Sequence, residues 1–196
     1  MKKYLIITGC ILIISTIFIA AVYLEKKNNE QQESIQNISA EVISIEFDKS
    51  LTENIKDQWF SGEKEQQVDA ESMILDYSMD ENEANYFVNN YDEYYRYKIK
   101  FKINNGSEIG INGPKAVVGD SGKVWVEISS ISEGCFTIDK GDIFECQGEL
   151  LVHKSVKSEE EILKILYDYG FYMKYQYDTV LNKNIDGKTL FRFKTS

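Results

Sequence analysis

The chain has 196 residues, a formal net charge of −10, three cysteines, one histidine and one proline, and 43% of its residues are hydrophobic. So acidic a balance argues against nucleic acid as a partner. A single histidine excludes the common multi-histidine metal clusters and a histidine relay, and no cofactor is expected.

The first residues read MKKYLIITGCILIISTIFIAAVYLEKK, with an uncharged run from Tyr4 to Leu24 between two pairs of lysines. At about 1.5 Å per residue such a run reaches roughly 31 Å, the thickness of a bilayer core, so the expectation is an uncleaved single-pass anchor. The apolar run is longer than that of a cleavable signal peptide, and no small-x-small site follows it. With the amino terminus cytoplasmic, the remainder would lie outside, in the cell envelope. The first 27 residues carry four lysines and one glutamate, +3, which leaves −13 on the rest. That charge suits a self-repelling ectodomain.

Residues 28–39 are polar and lack aromatics, as a tether or a continuation of the helix would be. The folded part is expected to run from residue 40 to 196 as one domain. A strand is expected around Glu41 to Phe47. Ser50 with Glu53 forms a capping box ahead of Ile55 and Trp59 and suggests a short helix. A weaker helical signal lies between Asp80 and Asn89.

The clearest strand is YYRYKIKFKINN. Tyr95, Tyr97, Ile99, Phe101 and Ile103 alternate with Arg96, Lys98, Lys100 and Lys102, and Asn104 to Gly106 supply a turn. The four cations form a basic stripe on an acidic domain. They are candidate contacts for an anionic surface polymer or the acidic face of another envelope protein. The alternative is that they pair with glutamates on neighbouring strands or guard an edge.

Gly119, Asp120, Ser121 and Gly122 are the four letters around the nucleophile of trypsin-like serine proteases. The only histidine, His153, follows the serine, and Lys123 breaks the G-x-S-x-G elbow, so a tight turn between strands is expected instead. Further strands are expected over Val124 to Ser130, Cys135 to Ile138 and Ile143 to Val152. If Lys140 and Gly141 close a two-residue hairpin, Cys135 faces Cys146 and a cross-strand disulfide follows.

Ser158 with Glu161 makes a second clear capping box. Ile162, Ile165, Leu166 and Tyr169 then recur at helical spacing, and Gly170 ends the helix. Beyond it, Phe171, Met173, Tyr175 and Tyr177 share one face of a strand that closes a hairpin with TLFRFK. Asn182, Asn184, Asp186 and Gly187 echo a calcium loop, but Phe193 stands where a bidentate glutamate belongs, and Asp186-Gly187 reads as a hairpin turn. Tyr94 and Tyr172, with Lys174 and Gln176, are the expected exposed members of two tyrosine clusters, suited to partner contact.

Many short antiparallel strands with few helices imply a mainly β or α+β domain. A β-sandwich is the favoured form, with an immunoglobulin-like one as an option, although Trp125 precedes both Cys135 and Cys146. The expected function is a membrane-anchored extracytoplasmic binding or assembly module. An extracytoplasmic hydrolase using Asp76, Asp80, Glu81 or Asp92 is the alternative, and a small-ligand sensor a third.

Overall fold

The computed structural model describes residues 2–46, 70–129 and 137–193. The helix suggested by Ser50 and Glu53, together with Ile55 and Trp59, lies outside them.

Helix α1, Lys2–Ser34, is 33 residues long. The expected membrane span is corrected: among the described residues no helix is long and apolar enough to cross a membrane. From Ile11 to Leu24 its side chains are uncharged, and most of them are exposed. Beyond them the helix continues through Glu25, Lys26 and Lys27. The single-pass anchor and the envelope localisation argued from it therefore have no support.

The polar stretch is the end of this helix, docked against the domain. Asn28 is buried, and its carbonyl oxygen accepts from the Thr179 hydroxyl. The Val180 N–H donates to Gln31 Oε1 at 2.9 Å and the Glu108 N–H to Ser34 Oγ at 3.0 Å.

Strand β1, Ile38–Glu46, follows after one 3-10 turn. Two helices come next among the described residues, α2 (Ala70–Tyr77) and α3 (Glu81–Asn89). α3 fulfils the signal near Asp80, whose carboxylate accepts from the Glu83 N–H while Glu83 answers to the Asp80 N–H, a complete capping box. Helix α2 had no counterpart in the sequence reading.

The remaining strands are β2 (Tyr94–Asn105), β3 (Ile111–Val118), β4 (Val124–Ser129), β5 (Thr137–Ile138), β6 (Ile143–His153), β7 (Phe171–Tyr177) and β8 (Ile185–Phe193). Helix α4, Glu159–Asp168, lies between β6 and β7, capped by Ser158 and followed by Gly170 at φ +74°. Both signals act as expected.

The strands form one sheet in the order β4-β6-β2-β1-β8-β7-β3-β5. The result is a mostly β, α+β domain with one curled, mixed sheet. A sandwich of two separate sheets is not what joins them, because β1 and β8 pair in parallel over Ala40–Phe191, Glu41–Arg192 and Val42–Phe193. The curl lets inward side chains from both halves meet. Phe101 of β2, Phe171 of β7 and Phe191 of β8 are fully or nearly fully buried at its centre, with the Phe171 and Phe191 rings stacked at 4.3 Å. A second core lies on the outer face, where Met73, Tyr77 and Phe87 of α2 and α3 cover Tyr94, Trp125 and Leu151.

The disulfide is also corrected. Cys146 is a buried free thiol, and Cys135 lies outside the described residues. The Lys140-Gly141 turn exists, with Gly141 at φ +80°, yet it does not close a hairpin: β5 pairs with β3, whereas β6 pairs with β2 and β4. Cys146 stands opposite Phe101. The turn sends the chain from one end of the sheet to the other, so the register that set the two cysteines face to face does not form.

Gly119 to Gly122 form the expected turn. Ser121 Oγ accepts from the Lys123 and Val124 N–H groups, and Gly122 takes φ +58°. The hydroxyl is occupied by its own loop. Asp186 and Gly187, expected to be a turn, lie inside β8, and the reversal between β7 and β8 is closed instead by Asp178, which accepts from the Asn184 N–H at 2.8 Å.

Candidate functional site

The basic stripe lies on β2, flanked by β1 and β6. Register places Lys102 between Glu41 and Glu145, and Lys98 between Glu46 and Glu149. Arg96 is paired with Glu149 and Lys100 with Glu46. Lys100 holds the Glu46 carboxyl below its ordinary pKa through its hydrogen bond and its charge. Four cations therefore meet four glutamates of the flanking strands.

Tyr94 is not on the surface. It is 1% exposed, packed edge-on against Phe87, Trp125 and His153. Strand alternation holds there, with Tyr94 on the same outer face as Arg96, but α2 and α3 cover that face at this end of β2. His153 is half-buried, with Nδ1 2.8 Å from Ser155 Oγ and Nε2 3.3 Å from Glu93 Oε2.

The carboxylates considered for acid and base work do not converge. Asp80 is spent as a helix cap and Glu81 is exposed on α3, whereas Asp92 belongs to the 3-10 turn before β2. Glu127 of β4, which no local pattern singles out, stands opposite Glu149. Burial and then the charge of Asp76 push its pKa up, against the opposing pull of Arg96. Beside it the Tyr77 hydroxyl is buried, and its hydrogen bond to the carboxylate opposes part of that rise.

A different surface gathers groups of one kind without compensation. Lys115 of β3 is directly opposite Lys174 of β7, and Lys174 is directly opposite Lys188 of β8. Adjacent strands lie about 4.8 Å apart, so three ammonium stems start in one row across the sheet. All three residues are exposed. Lys115 donates to the Leu75 carbonyl at 2.7 Å, and Lys188 Nζ rests 3.6 Å above the Tyr172 ring. Lys174 has no partner among the described residues.

The neighbouring row is polar: Asn112, Gln176 and Asp186 are also in register. Gln176 Nε2 approaches Asp186 Oδ1 at 3.3 Å, and Thr137 of β5 donates to Asn112 Oδ1 at 2.8 Å. Both rows line one groove of about 960 Å³, which Ser78, Gly113 and Asn184 border.

A bulge makes this face. Asn112 and Lys115 are three residues apart on β3, whereas their partners Gln176 and Lys174 are two apart on β7, and the register shifts between them. Gly113 at φ +53° and the buried Pro114 occupy the extra position. Glycine in the left-handed region and proline without an N–H are the residues a bulge accommodates. Of the groove, Tyr172, Lys174 and Gln176 were visible as outward members of β7; Lys115 and Lys188 were not, because nothing local assigns their strands as neighbours.

No protein-family model matches this chain, and neither does any curated protein sequence. Among solved structures, a FixG-related protein from Vibrio parahaemolyticus is similar over 52% of this chain and 81% of its own, at 9% identity and a TM-score of 0.24. So slight a likeness carries no argument about fold or function.

Proposed function

We propose that this chain is a binding or assembly module whose contact surface is the lysine row of β3, β7 and β8, and that its partner is anionic. The observation that supports this reading is the in-register row itself. Like charges directly opposite across strands are destabilising. Elsewhere on the same sheet every stripe cation has a glutamate opposite or bonded to it, whereas among the described residues no carboxylate stands opposite these three. A row that costs stability in the free protein is relieved when a negative partner covers it.

The β2 stripe is the alternative face for the same kind of partner. Its cations are each compensated by at least one glutamate of a flanking strand, which makes it the weaker candidate. The two are separated by measuring retention of the purified full chain on immobilised polyglutamate and on an immobilised carboxylated polysaccharide at low salt. A protein of net charge −10 is retained only through a local basic face. Reversal by Lys174→Glu with Lys188→Glu should abolish retention, and Lys102→Gln should leave it nearly intact; the opposite pattern would move the site to β2, and no retention on either matrix would remove the proposal.

A further inference from the structure

The lysine row does not stand alone, and the groups beside it narrow what an anionic partner must look like. We infer that the groove on β3, β7 and β8 binds an acidic polysaccharide, with its carboxylates on Lys115, Lys174 and Lys188 and its hydroxyls on the row of Asn112, Gln176 and Asp186. The inference rests on the reading above and deepens it.

Asp186 carries the argument. Its carboxylate lines the same groove as the lysines, and an ionised carboxylate only accepts hydrogen bonds. A partner presenting nothing but negative charge would be repelled there. A sugar acid presents its carboxylate at one edge of the ring and hydroxyl donors at the other. The two rows are two residues apart along β7, about 6.6 Å, a span comparable with the width of a pyranose ring. Gln176 and Asn112 supply amide groups that both donate and accept, the pairing that hydroxyls need.

The long axis agrees. The lysines recur once per strand, about 4.8 Å apart, close to the repeat of a linear chain of sugar acids laid across the strands. An acidic peptide laid here would bring carboxylates, which Asp186 repels, and only its backbone N–H groups as donors, whereas a sugar acid carries hydroxyl donors on every ring.

Two ligands and two variants test this in the full chain. Titration with an oligogalacturonate and with polyglutamate of matched charge should give the tighter binding to the oligogalacturonate. Asp186→Ala should weaken the oligogalacturonate about fivefold or more, because it removes an acceptor from the hydroxyls, and should strengthen polyglutamate, because it removes a repelling charge. Lys174→Gln should weaken both about tenfold. If Asp186→Ala strengthens both ligands, or polyglutamate binds more tightly, the polysaccharide assignment is overturned while the anionic face stands. If neither ligand binds the parent chain, both fail.

Discussion

Asn112 and Lys115 line the same groove although they stand three positions apart along β3. In an uninterrupted strand their side chains would point to opposite faces. The bulge at Gly113 and Pro114 cancels the parity, so the ability of the chain to align Lys115 with Lys174 rests on one residue with a positive φ.

Replacing that glycine should therefore cost stability without a steric clash, since no atom lies within 4 Å of where its Cβ would stand. Gly113→Ala is expected to lose about 1 kcal/mol through the left-handed conformation alone. Denaturant unfolding checks this, and an unchanged midpoint would mean that the bulge relaxes to another backbone shape.

Gly148 of β6 presents the opposite case. A Cβ there would lie 1.9 Å from the Glu127 carbonyl oxygen and 2.7 Å from the Phe101 ring. The carbonyl is backbone and cannot step aside, so Gly148→Ala must push β4 away from β6. We expect a loss of about 2–3 kcal/mol by denaturant unfolding, larger than for Gly113→Ala at a site with no conformational strain.

Glu127 sets a pH dependence. Its carboxyl pKa is raised by burial and by Asp76, with Arg96 opposing; Glu149 lies opposite. A raised carboxylate pKa means that the native state binds the proton more readily than the unfolded chain, so this stabilisation is complete below the unfolded carboxylate value and is lost as pH rises through the folded one. Glu127→Gln should accordingly melt higher than the parent near pH 7, and the difference should shrink to nothing near pH 4. A melting temperature lowered at neutral pH would show that the charge is held favourably.

Cys146 is buried, and burial pushes its thiol pKa up to about 12. It should resist thiol reagents in the native protein and react on unfolding, as peptide-resolved labelling would report. Melting with and without reductant should coincide; a lower melting temperature under reduction would indicate a bridge that the fold does not place at this position.

Local patterns carried the elements well. Alternation marked β2 and β7, and the pairs Asp80–Glu83 and Ser158–Glu161 marked where two helices begin, since capping and face are decided within a few residues. What local chemistry cannot specify is which strands become neighbours. Lys140-Gly141 turns as a hairpin would, yet its flanks pair elsewhere, β5 with β3 and β6 with β2 and β4. Pairing of the β2 cations with glutamates of neighbouring strands is legible in the alternation, but not which glutamates, because Glu41, Glu46, Glu145 and Glu149 come from strands on either side of it in the sequence. Lys115, Lys174 and Lys188 looked unrelated for the same reason, and Gly113-Pro114 hid β3 by interrupting its alternation. In α1, a run that reads as a bilayer span is continuous with polar turns whose Asn28 and Ser34 are buried against the domain.

Lys174 stands between two like charges and has no partner among the described residues. The decisive measurement is the stability of Lys174→Gln at low and high salt, read beside its affinity for a carboxylated polysaccharide. We predict a variant more stable than the parent by up to about 0.5 kcal/mol at low salt, equal to it at high salt where the repulsion is screened, and weakened about tenfold in binding. A variant that is no more stable and binds as well as the parent would contradict the reading of this row as a binding face.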